Sequence, residues 1–327
     1  MTATSTATVR RRPPPRWGAR AGAGPRAGPD TRTPLAQSVS RRVEALAGNL
    51  HAALDGEEDA IHHARVATRR LREILPIAVD TRAGRGKRLR RRLKRLTAAL
   101  GPVRELDVAL TLLEDRAEGR PAPAVMALRA HLKEGRRVAF EHLREACDPG
   151  RARRLLDRLA GLVHERDAAS GRGHGDLPNR HRRRLTRGMI DRARALRSAV
   201  VDAGAILIVD RVHAVRIAAK RLRYALEVAG ELRLARTASL VTSLRAMQDV
   251  LGHLHDLDVL RGESARARSE LPPDSIVARD LERLADGIDA DIRQLHARYL
   301  RGARALAALT DRVRDRIAPC LDPSIST

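Results

Sequence analysis

At 327 residues the chain can form one large domain or two of ordinary size, and 43% hydrophobic content can fill a core despite 32% charge. Its 64 basic against 40 acidic side chains leave a formal net charge of +24, which points to polyanionic partners: nucleic acid, anionic membrane or a phosphate polymer. Two cysteines, Cys147 and Cys320, are too few for a disulfide scaffold and match no metal spacing; no apolar run approaches the ~20 residues of a membrane span, and no apolar stretch follows the N-terminal arginines as in a signal peptide.

A reducing, cytoplasmic location is therefore expected. Aromatic residues are 1% of the chain, so Leu, Ala, Val and Ile must do the packing, and the first two favour helix. An all-α fold of packed helices is expected. Only Lys87, Lys94, Lys133 and Lys220 are lysines, so the other 60 basic residues are arginines. That ratio suits phosphate, whose oxygens match the planar guanidinium fork, and it equally fits a coding bias toward Arg and Ala. The sign of the charge holds either way.

In chain order, residues 1–34 are rich in Arg, Pro, Gly and Ala without apolar period and read as a disordered basic arm. Helical periodicity takes over from Gln37, and no alternating strand pattern follows. Breaks are predicted near Asp55-Gly56, Ala83-Gly84, Gly119 to Pro123, Asp148-Pro149-Gly150 and Pro272-Pro273. SGRGHGDLP, from Ser170, is the main linker signal. The expected division is a helical bundle over 35–168, a linker over 169–180, a second bundle over 181–320 and a tail over 321–327.

The two halves repeat one another. IHHARVATRRLREIL from Ile61 matches VHAVRIAAKRLRYAL from Val212, and LTAALGPVRELDVAL from Leu96 matches MQDVLGHLHDLDVLR from Met247. One offset of 151 relates His62 to His213, Arg65 to Arg216, Gly101 to Gly252, Asp107 to Asp258 and Pro121 to Pro272. A repeat this long means a duplicated bundle, not a solenoid of short units.

On a helix, His62, Arg65, Arg69 and Arg72 fall on one stripe about 80° wide, opposite Ala67, Leu71, Ile74 and Leu75. The second copy sets His213, Arg216, Lys220 and Arg223 opposite Ala218, Leu222, Ala225 and Leu226, leaving Arg70 and Arg221 off the stripes. Like charges at i,i+4 repel by a few tenths of a kcal/mol per pair, so two such stripes suggest a ligand supplying negative charge. A cation at about every 5.4 Å turn suits a linear polyanion, and histidine can donate to phosphate oxygen. The alternatives are solvated faces, or pairing with carboxylates such as Asp107 and Asp258. Glycines Gly101 and Gly252 would allow a turn or close approach, and the acids after them (Glu105 and Asp107, Asp256 and Asp258) would orient the stripes. Further basic density lies at Lys87–Arg95, where Arg88, Arg91, Arg92 and Arg95 share a face that the second copy lacks, and at Arg180–Arg187.

The HxxRxxxRRLR pattern from His62, its HxxRxxxKRLRY counterpart and the recurring LG–x–x–x–D/E–x–D–V element resemble the CHAD domain, the conserved histidine α-helical domain, over about residues 35–320. The resemblance implies two antiparallel helical bundles related by a pseudo-two-fold axis, enclosing a basic groove or pore. It implies binding of inorganic polyphosphate and association with polyphosphate granules in the cytoplasm. The expected contacts are His62, Arg65, Arg69, Arg72, His213, Arg216, Lys220 and Arg223, with Arg88, Arg91 and Arg95 added from the basic run. Many relatives carry a phosphate-hydrolysing domain ahead of this one; nothing here resembles its alternating Glu/Lys strands.

Nucleic acid is the competing partner. Single-strand binders stack bases on aromatics, and this chain has Trp17, Phe140, Tyr224 and Tyr299 alone. Base readout uses Asn and Gln, also scarce here. No phosphate-cradling P-loop or HExxH helix is present, and the histidine pairs His62-His63 and His253/His255 come with no repeating carboxylate cluster. The expectation is a non-enzymatic binder with no cofactor, no metal and no membrane partner, non-specific nucleic-acid binding and a granule scaffold being the remaining alternatives.

Overall fold

The computed structural model describes residues 32–79, 84–117, 122–170 and 179–321. The expected arm lies almost wholly outside these residues, as do the centre of the expected linker (171–178) and the tail from 322. Among the described residues there are nine α-helices, a terminal 3₁₀ turn and no strand. They are α1 (Pro34–Leu54), α2 (Glu58–Ala78), α3 (Gly84–Arg116), α4 (Pro123–Ala146), α5 (Pro149–Ser170), α6 (Asn179–Ala203), α7 (Val209–Glu231), α8 (Ala238–Ser269) and α9 (Ile276–Ile317).

The boundaries follow local chemistry. Thr33 caps α1, its hydroxyl accepting from the Ala36 amide at 3.3 Å, and Pro34 occupies the first turn, where a missing N–H costs nothing. Gly56 then takes φ +98°, a conformation open to glycine, and turns the chain into α2. Prolines also open α4 and α5. Ser275 caps α9 by accepting from Ala278 at 3.1 Å, just after Pro272-Pro273. Two breaks are not among those expected from the sequence. Gly204 (φ +58°) ends α6, and Arg233 (φ +56°) sits between α7 and α8.

The offset of the sequence repeat places α2 over α7, α3 over α8 and α4 over the first part of α9. The second copy departs at one point. Where the first has Asp148-Pro149 between α4 and α5, the second has Tyr299-Leu300, with no proline to remove an amide or clash with the preceding turn. Hence α9 runs unbroken for 42 residues.

From α1 to α4 and from α6 to α9 sequence neighbours pack on one another, as short connections favour, whereas α5 folds back onto α1 and α3. Across the repeat, α2 meets α7, α3 meets α8, and α4 meets α8 and α9. Buried apolar residues form two clusters. One joins α1, α2, α5, the first half of α3 and the end of α4, and takes in Leu185 of α6 with Val228 and Leu232 at the end of α7. The other joins α6–α9 with Leu106, Ala109 and Leu113 of α3 and Ala124, Leu128 and Leu132 of α4. Helices α3 and α4 therefore serve both clusters, and the cores do not part at the linker. Leu, Ala, Val and Ile fill them, Tyr299 being the largest fully buried side chain. A polar tie crosses the halves too. Buried Arg42 of α1 donates to Glu231 at the end of α7 at 2.7 and 3.0 Å and to the Ser38 carbonyl at 2.8 Å.

Candidate functional site

The helical period puts His62, Arg65, Arg69 and Arg72 on one side of α2, and His213, Arg216, Lys220 and Arg223 on one side of α7. Because α2 packs against α7, the two rows are brought together. Arg65 and Arg69 lie close enough to Arg216 and Lys220 to depress their charge, and Arg72 feels Arg221 of α7 and Arg90 of α3. Arg221, off the stripe on helical geometry alone, thus joins the seam through the packing of the two helices.

Carboxylates compensate this seam only in part. Arg65 pairs with Glu105 of α3 at 3.3 Å, and the equivalent Arg216 approaches Asp256 of α8 at 4.0 Å. Glu105 and Asp256 are themselves 151 residues apart, so the pairing recurs with the repeat. Arg223 is held by Glu227 at 2.8 Å and lies 4.7 Å from the Tyr224 ring centre; Glu227 also takes Arg245 and Arg70. Arg69, Arg72 and Lys220 have no carboxylate within ion-pair distance among the described residues. The Nε atoms of Arg65, Arg216 and Arg223 are buried without a hydrogen-bond partner. The seam thus keeps surplus charge and unused donors.

Asp107 and Asp258 do not meet the stripes, contrary to expectation. Asp107 is buried on another face of α3 and accepts from Arg136 Nε at 2.5 Å, while Asp258 accepts from Arg261 at 2.6 Å. Residues two apart on a helix point about 200° apart, so only one acid of each pair can face the stripe. It is Glu105 and Asp256. Gly101 and Gly252 sit inside α3 and α8 rather than at turns. The Arg65 guanidinium lies over Gly101, where an added Cβ would still be in ordinary contact at 3.7 Å.

Burial, then the neighbouring cations, shifts the titration of the site. Lys220 is pushed down to about 6 by desolvation, helped by Arg216, Arg69 and Arg65. His62 falls to about 4 through burial and then Arg104, and His255 to about 3 through burial and then Arg216. Burial, followed by Arg216, also lowers His213. The histidines are therefore neutral near pH 7, and each ring can offer an N–H donor. His213 and His255 face each other Nδ1 to Nδ1 at 3.2 Å, so one ring must carry the shared proton. In the sequence His255 stands out only as half of a histidine pair with His253, not as part of a basic row, although the repeat aligns it with Arg104, another neighbour of the seam.

Of the basic run, Arg91 is exposed on the side of α3 that faces Glu105, while Arg88 and Arg95 turn with Arg92 toward α5. No group of three or more His, Cys, Asp or Glu among the described residues could hold a metal ion. No helix there is long and apolar enough to cross a membrane. The one cysteine among the described side chains, Cys147, is free and buried.

Among solved structures, the CHAD domain from the plant Ricinus communis aligns at 22% identity and a TM-score of 0.54, covering 92% of this chain and 97% of that one. PptA from Streptomyces chartreusis aligns at 17% identity and a TM-score of 0.51, covering 87% and 98%. At those identities the likeness is one of fold. No curated protein matches the sequence. The CHAD domain family matches residues 37–265, a span that takes in both basic rows and both Gly-containing helices. With that match over most of its length and the shared helical fold, the chain belongs to the CHAD domain family.

Proposed function

We propose that this chain binds inorganic polyphosphate along the α2–α7 seam, without catalysing a reaction on it. The observation that carries this reading is the meeting of two cationic rows in which Arg69, Arg72 and Lys220 have no carboxylate partner among the described residues. Successive phosphates replace the missing negative charge and engage the unused Nε donors of Arg65 and Arg216. Arg65 and Arg216 are held in place by Glu105 and Asp256, His62 and His213 donate as neutral rings, and Arg223 borders the seam. A polymer with one charge per phosphate suits a row of cations better than a compact anion does.

This reading carries with it a cytoplasmic location at polyphosphate granules. Nucleic acid fits less well, because Tyr224 and Tyr299 are buried and offer no stacking platform. Duplex DNA at equal phosphate concentration and salt should fail to displace long-chain polyphosphate. Replacing Arg69→Glu together with Arg72→Glu should weaken polyphosphate binding at least tenfold while helix content by circular dichroism is unchanged. Unaltered affinity in that variant refutes the seam as the site. Release of orthophosphate from the polymer in the presence of magnesium refutes the non-catalytic reading.

A further inference from the structure

The basic run of α3 is not used up by the seam. Arg92 lies thirteen residues, or about 20 Å, before Glu105 on α3. The face it shares with Arg88 and Arg95 is turned roughly 100° away from the Glu105 side. That face looks onto α5, which packs against α3. There Arg154 and Arg158 join it: the groups that most depress the charge of Arg92 after desolvation are Arg158, Arg154, Arg88 and Arg95, and none is an acid.

Between these helices and the end of α4 lies a crevice of about 360 Å³, lined by Arg92, Arg95, Arg151 and Arg154 over an apolar floor that includes Leu96 and Leu155. The local acids offset this charge only in part, Asp148 at the rim acting on Arg151 and Arg154. Asp148 holds Arg151 at 3.1 Å, Glu165 is taken by Arg85, and Asp157 makes no ion pair among the described residues. Arg88, Arg92, Arg95, Arg154 and Arg158 have no carboxylate within ion-pair distance there. Such a concentration of one sign is destabilising unless a counter-charge arrives. The second copy has nothing like it, with Ser239, Ser243, Ala246, Ala305 and Leu309 at the equivalent positions.

We propose that this α3–α5 crevice is a second binding site for phosphate chains, separate from the seam, so that one molecule can hold two strands and tie them together. The choice of phosphate polymer as ligand rests on the reading above; the existence of a second anion site does not.

Calorimetric titration of the full chain with tripolyphosphate decides the matter. Two sites are expected. Arg92→Glu with Arg154→Glu, changes to side chains that make no ion pair among the described residues, should weaken one of them at least tenfold and leave the other. Arg69→Glu with Lys220→Glu should do the reverse. With long-chain polyphosphate, the wild-type chain should build light-scattering networks that either double variant fails to form. A single site abolished by the seam variant overturns the second site and leaves the seam standing. A single site abolished by the crevice variant overturns the seam instead. Two sites and undiminished scattering in the Arg92/Arg154 variant also overturn the proposal.

Discussion

Lys220 offers a sharp test, because its environment makes opposite demands on stability and on binding. Its ammonium is partly buried beside Arg216, Arg69 and Arg65, which with desolvation brings its titration from an ordinary 10.5 down to about 6. At pH 7 folding must therefore strip a proton that the unfolded chain keeps. The cost is at most about 5 kcal/mol, at 1.36 kcal/mol per unit between 10.5 and 7. Water penetration and relaxation should reduce the measurable part to about 1–3 kcal/mol. Lys220→Met keeps the aliphatic stem and removes the charge, so it should stabilise the protein at pH 7 and at the same time weaken polyphosphate binding. The sign with pH is fixed as well. The penalty in the wild-type chain is full below about pH 6 and fades as pH rises toward 10.5, so the advantage of the variant should be largest in acid and vanish in strong base. Urea denaturation at a series of pH values, followed by circular dichroism, measures it. A variant no more stable than wild type at pH 7, or an advantage that does not shrink with rising pH, refutes the reasoning.

Other expectations follow from the same contacts. Phosphate binding should restore the proton to Lys220, so binding near pH 7 should take up protons and weaken as pH rises; calorimetry in buffers of different ionisation enthalpy reads the uptake directly. With five cations of the seam neutralised, the logarithm of affinity should fall against the logarithm of salt with a slope of about −4, by analogy with nucleic acids. Arg42→Ala removes the buried donor of the Ser38 carbonyl and leaves Glu231 with the Ser38 hydroxyl in place of its bidentate arginine, and should cost about 2–3 kcal/mol in denaturant unfolding, with binding to the seam unaffected. Tyr299→Phe should be neutral or slightly stabilising, since the buried hydroxyl it removes has no partner, whereas Tyr299→Ala should cost about 3–5 kcal/mol.

Much of this was readable beforehand, for physical reasons. The stripe on α2 and its copy on α7 follow from the 3.6-residue period, and the breaks at Gly56, Pro123, Pro149 and Pro272 from what glycine and proline do to a backbone. The breaks at Gly204 and Arg233 were not legible, because a lone glycine is tolerated in helices and a positive φ at arginine leaves no mark in sequence. Choosing Glu105 over Asp107 required knowing which side of α3 meets α2. Periodicity reveals that a face is buried, not what covers it, which is also why the approach of Arg221 and His255 to the seam stayed hidden. The convergence of Arg154 and Arg158 on Arg92 was likewise beyond reach, since it joins residues more than sixty positions apart.

The sharing of α3 and α4 between the two apolar clusters bears on how such a molecule can be taken apart. A fragment ending at residue 170 would leave Leu106, Leu113, Leu128 and Leu132 facing water, a sticky strip that invites self-association. The complementary fragment would lack part of its own filling. Melting should therefore occur as one event, with neither portion surviving the loss of the other.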